Sequence, residues 1–145
     1  MDRIFITDRT FNNNITWNYG TNEFGIPIIF KPGVEIREIS PPLLLMFNIL
    51  ASFPPGGNAP KEFVITSIYR SPKGSRHRKH EAIDLRAHNV LSVNRESFRA
   101  ELEGRLNKQS HLFFGKDLFR VLHEYIGTNN EHYHIQVKKG IAWPR

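Results

Sequence analysis

Two stretches of this 145-residue chain concentrate side chains that bind metal ions and carry protons: Ser75-Arg76-His77-Arg78-Lys79-His80-Glu81-Ala82-Ile83-Asp84 and Glu131-His132-Tyr133-His134. Two imidazoles and one carboxylate suffice to hold a zinc ion with an open fourth position, where water is acidified towards neutrality and a peptide carbonyl is polarised. The chain has no cysteine, which excludes thiolate zinc sites, disulfides and a cysteine nucleophile, so any metal must rest on histidine and carboxylate. His77 stands in a polar loop and Asp84 on the segment that leaves it, so the loop can fold back and bring both to one point. The third ligand must come from elsewhere, and the strand beginning at His132 is the best donor; His132 and His134 share a face there, because alternate strand residues point the same way. Taken singly, each residue has an ordinary explanation. A histidine among Arg78 and Lys79 is usually solvated, Asp84 can cap a turn, and Glu131 can be a turn carboxylate; their combination is what argues for a site.

The elements that would position these residues follow from local pattern. Phe63–Tyr69 is rich in β-branched and aromatic residues and runs into the turn-forming Arg70-Ser71-Pro72-Lys73-Gly74, which predicts a strand ending at Arg70. A second short strand is expected over Ala82–Arg86, and a hairpin over Leu118–Tyr125 and His132–Val137 about the turn Gly127-Thr128-Asn129-Asn130. Ser40 before Pro41 marks a helix start, and Leu43–Leu50 is apolar nearly all round, so this helix is buried and closes at Pro54-Pro55-Gly56-Gly57. Asn94 is placed to cap a second helix carrying Phe98, Leu102 and Leu106 on one face and a Glu101/Arg105 pair on another, with Gly104 weakening it. The first 39 residues read as short strands, Ile4–Ile6 and Ile26–Phe30, between Asn- and Gly-rich turns. Helices mixed with short, mostly antiparallel strands make an α+β fold, and residues 1–145 suit a single domain.

With the motifs set out, the chain resembles the zinc peptidases of peptidoglycan that include D-alanyl-D-alanine carboxypeptidases and the L-alanyl-D-glutamate endopeptidases of phage lysins. Their pattern is Ser-x-His, two residues, Gly-x-Ala-x-Asp, and far downstream Glu/Asp-x-x-His; this chain has Ser75, His77, Ala82 and Asp84, then Glu131 and His134. Ser67, Tyr69, Arg70 and Ser71 reproduce the family's upstream Ser-x-Tyr-Arg-Ser, with Ile68 in place of the usual glycine. The resemblance spans residues 63–137 and implies a hedgehog/DD-peptidase-like fold, zinc held by His77, Asp84 and His134, Glu131 as general base and Arg70 stabilising the oxyanion. Ser75 and His132 would hold substrate. In relatives with His-x-His the first histidine helps move protons, so His132 competes with Glu131 for the base role, and Glu131 is favoured. His80 stands where the family has glycine and is held in reserve as an alternative to His77.

A formal charge of +6 suits anionic surroundings, whether nucleic acid, an anionic membrane or a wall polymer. No apolar run reaches the roughly 20 residues that cross a bilayer, so no membrane insertion is expected. Met1–Phe11 mixes charge with apolar residues and lacks the block of a secretory signal, which with the small size suits a phage lysin released onto the wall by a partner or a cytoplasmic dipeptidase; the lysin is preferred, and a monomer is expected. Two other readings compete. A binding domain that keeps zinc without activity, as in hedgehog signalling domains, would not need both Arg70 and Glu131. A His-x-His DNA nickase would need a catalytic tyrosine after the pair, and it leaves His77 and Asp84 unexplained.

Overall fold

The computed structural model describes residues 18–69, 76, 77, 81–140 and 143. Within them lie six strands and two α-helices: β1 (Asn18–Thr21), β2 (Pro27–Phe30), α1 (Pro41–Ala51), β3 (Phe63–Ser67), β4 (Ala82–Arg86), α2 (Arg95–Phe114), β5 (Phe119–Glu124) and β6 (His132–Val137). The strands form one mixed sheet in the order β1-β2-β3-β4-β6-β5. Only β2 and β3 run parallel, joined through α1; every other neighbouring pair is antiparallel. The expected mostly antiparallel sheet with two helices is therefore present. The expected strand at Ile4–Ile6 lies outside the described residues.

Both helices start and stop for local reasons. Ser40 caps α1 through its hydroxyl, which accepts from the Leu43 amide at 3.3 Å, and two prolines fill the first turn, where no amide partner is required. Helix α2 departs from expectation at its start: the Asn94 side chain makes no capping bond, because Ser92–Asn94 already form a 3₁₀ turn that runs straight into the helix. It ends at Gly115, whose φ of 72° needs a residue without Cβ, and the Gly115 amide closes the last turn on the His111 carbonyl.

The core fills the space between the helices and one sheet face. Phe53, Phe63, Phe98 and Tyr133 pack edge-on or tilted with ring centroids 5.1–6.4 Å apart. Ile65, Ile83, Leu85, Val121, Ile135 and Val137 complete it. Strand β5 is an edge, and α2 covers it with polar side chains rather than leaving its backbone open. Asn107 bonds both the amide and the carbonyl of Phe119, Glu103 accepts from the Val121 amide, and Arg99 donates to the Val121 carbonyl. At the other end, buried Asn22 donates to the carbonyls of Leu50 and Phe53 and accepts from the amides of Phe24 and Ile26, tying the β1–β2 turn to the end of α1. With one face packed by helices, chemistry is left to the opposite face.

Candidate metal centre

Directly opposed residues of neighbouring strands lie on the same face, so the register lays the open face out in rows. Glu124, His132 and Arg86 form one row, Leu122, His134 and Asp84 the next, and Arg120, Gln136 and Ala82 the third. Ser67 extends the middle row where β3 meets β4 at a bulge. His77 reaches the middle row from the loop between β3 and β4, and is itself buried.

Three ligand atoms converge there. His134 Nδ1 lies 2.9 Å from Asp84 Oδ1, His77 Nε2 lies 3.3 Å from the same oxygen, and the two imidazole nitrogens are 3.2 Å apart. The edges of a zinc tetrahedron with bonds near 2.0–2.1 Å measure about 3.3 Å, so this triangle already has nearly the size the ion requires. The outer nitrogens decide what the inner ones can do. His77 Nδ1 is 2.8 Å from the Ile68 carbonyl, and His134 Nε2 is 2.7 Å from the Gln136 amide oxygen. Each outer nitrogen must carry the proton to donate there, which leaves the inner nitrogen of a neutral ring with a lone pair. Two lone pairs and a carboxylate thus face one another with no proton among them. A cation resolves this, either a metal or a proton taken up by one ring, and the group can hold a metal ion.

The electrostatics agree. Burial alone would push Asp84 up, but the bonds and charges of His134 and His77 outweigh it and hold the carboxyl well below the usual range. His134 responds in the opposite sense: burial lowers it, while the hydrogen bond and charge of Asp84, with Gln136 added, raise it above an ordinary histidine.

The triangle lies on the wall of a cavity of about 820 Å³ that His132 also lines, together with Thr66, Ser67, Glu124, Tyr125 and the cations Lys31, Arg76 and Lys139. His132 is held on three sides. Its Nδ1 faces the Asn130 carbonyl at 2.7 Å, its Nε2 faces Glu124 Oε1 at 3.1 Å, and the Tyr125 ring tilts against it at 5.6 Å. Tyr125 has φ of 53°, uncommon for a bulky residue, and this backbone state turns the chain out of β5 beside His132. His132 Nε2 is 3.9 Å from Asp84 Oδ1, so it borders the triangle without joining it.

The structure does not bring Glu131 to this group. Strand alternation explains why: three residues separate Glu131 from His134, an odd step, so Glu131 falls on the helix side with Tyr133. There it is buried and accepts from Arg95, from the Gly127 amide and from His123 at 2.6 Å. Burial would raise it, but these donors outweigh burial and keep it below a normal glutamate. Arg70, Ser75 and the reserve candidate His80 lie outside the described residues.

Sequence reasoning passed over Glu124, Tyr125 and Gln136. Gln136 was accessible by extending the His132, His134 alternation one step. Glu124 required the hairpin register that sets it opposite His132. No protein-family model matches the chain, and neither a curated protein nor a solved structure matches it.

Proposed function

We propose that this chain is a zinc-dependent peptidase acting on the stem peptides of bacterial peptidoglycan. The observation that supports it most is the convergence of His77 Nε2, Asp84 Oδ1 and His134 Nδ1 at 2.9–3.3 Å, with both outer nitrogens tied to acceptors, on the wall of an open cavity. Two imidazoles and a carboxylate without thiolate suit zinc, which with a free coordination position supplies a nucleophile at neutral pH and polarises a carbonyl.

The chain's own residues then do the following. His132, bordering the triangle with both ring nitrogens facing acceptors, is placed to donate a proton to the leaving amine. Glu124 and Asn130 fix the plane of its ring, and Tyr125 covers one side. Thr66 and Ser67 offer hydroxyls along the cavity to the backbone of an extended substrate. Arg70 and Ser75 keep the roles the motif resemblance implies, oxyanion stabilisation and substrate contact. Lysin-like release onto the wall belongs to the same reading.

The test is metal analysis of the purified protein together with mass spectrometry of the soluble products from purified peptidoglycan. The expected result is one zinc per chain and new peptide termini that disappear in Asp84→Asn. Stoichiometric zinc without new termini overturns the peptidase and leaves the metal centre standing.

A further inference from the structure

Beyond the metal row the open sheet face continues into a second trough of about 480 Å³, walled by Arg120, Leu122, Gln136, Lys138 and Lys139. Leu122, Gln136 and Lys139 also line the metal cavity, so the two spaces adjoin. Arg120 stands opposite Gln136 in the β5–β6 ladder, one row from His134. Two residues along a strand is about 7 Å, so the trough begins about two residues of extended peptide away from the metal row.

Its cations differ from the ion-paired arginines of this molecule. Arg37, Arg76, Arg95, Arg99 and Arg105 each pair with a carboxylate. Among the described residues, the side chains of Arg120, Lys138 and Lys139 make no ion pair or hydrogen bond. The acids that share a neighbouring groove with Arg120 and Lys138 are engaged elsewhere: Glu96 pairs with Arg99, Glu103 accepts from Arg99 and the Val121 amide, and Asp117 faces His111. Arg120 and Lys139 are exposed, so packing does not require them. Three like charges gathered on one trough repel one another, and they attract an anion from solution.

We propose that this trough is a subsite for the oxyanion groups of the wall polymer, gripping a carboxylate or phosphate about two residues from the bond held at the metal row. The proposal rests on the peptidoglycan reading for the identity of the polymer. Carboxylates of the peptide and phosphates of attached wall polymers share this chemistry, and stripping the phosphate polymers from purified sacculi separates them.

The experiment is co-sedimentation of the full chain with purified sacculi, which needs no turnover, followed by saturation kinetics where products form. In R120E/K138E/K139E the half-saturating sacculus concentration rises about tenfold or more while zinc content is unchanged. The neutral R120Q/K138Q/K139Q moves the same way by less. K61E/K108E/K116E carries the same net charge but alters residues that border neither cavity, and it binds as the wild type does. Raising salt from about 0.05 M to about 0.5 M weakens the wild type far more than the charge-reversed variant. Wild-type binding by R120E/K138E/K139E, equal loss in the two charge-reversed proteins, or no binding by the wild type overturns the subsite. Sacculus binding that depends on the trough but yields no products retains the subsite and removes the peptidase; products formed with unchanged half-saturation in R120E/K138E/K139E do the reverse. Binding that survives stripping assigns the anion as carboxylate, and binding lost on stripping assigns it as phosphate.

Discussion

The two faces of the sheet at β6 each have a carboxylate among basic side chains, Asp84 of β4 on one and Glu131, just before β6, on the other, and they differ in how protons are supplied. On the helix side, Glu131 meets Arg95, the Gly127 amide and His123, so donors with protons to give surround its oxygens. On the open side, Asp84 meets His77 and His134, whose protons are committed to Ile68 and Gln136. The first cluster is electrostatically complete and ties the hairpin to α2. The second lacks a positive charge at its centre. Counting donors, more than the identity of the residues, separates the structural cluster from the one able to bind a cation.

Breaking the open-side cluster should have the largest effect. Replacing Asp84 by Asn, or His77 by Ala, removes one of three ligands and should lower zinc affinity about a thousandfold or more, roughly 4 kcal/mol, as read by competition with a chromophoric chelator. The Glu131→Gln protein, measured alongside, should retain wild-type affinity. Next in size, His132→Ala should keep its zinc and lose turnover by about 10²–10⁴-fold; undiminished turnover would remove His132 from the chemistry.

Glu131→Gln sharpens the contrast from the other side. It removes a buried charge from a saturated network and should destabilise by about 1–3 kcal/mol in urea unfolding, while turnover of the folded protein persists. A stable but inactive Glu131→Gln would reverse the assignment of the two faces.

The smallest effect concerns pH. Because the folded value of His134 is raised, its bond to Asp84 in the metal-free protein stabilises fully below about pH 6.5, the unfolded value. That contribution is lost as pH rises through the folded value. On the proposed zinc reading the metal takes the place of this proton, so zinc affinity should fall as pH drops through the same value. The difference in Tm between zinc-loaded and metal-free protein should therefore widen from about pH 6 to about pH 8. A difference that is flat or narrows across that range would place the proton elsewhere.

Much of the frame was legible in the sequence because it rests on short-range pattern. The β-branched run at Phe63, the apolar stretch from Leu43 behind Ser40-Pro41, and the turn at Gly127 each mark an element that the structure contains. His77, Asp84 and His134 were named through the motif resemblance, and the structure brings them together. What local pattern concealed was the side of the sheet. The interval from Glu131 to His134 is a motif in one dimension, but in an extended strand it turns the two side chains to opposite faces, and Arg95 waits on the far side from a helix 36 residues earlier. Glu124 was hidden for a related reason, since only strand pairing sets it against His132.

The most direct test of the metal centre is a zinc titration of the wild type, Asp84→Asn and Glu131→Gln under one set of conditions. One tight equivalent in the wild type and in Glu131→Gln, with none in Asp84→Asn, is the predicted result. Tight binding that survives Asp84→Asn, or that disappears in a folded Glu131→Gln, would contradict it.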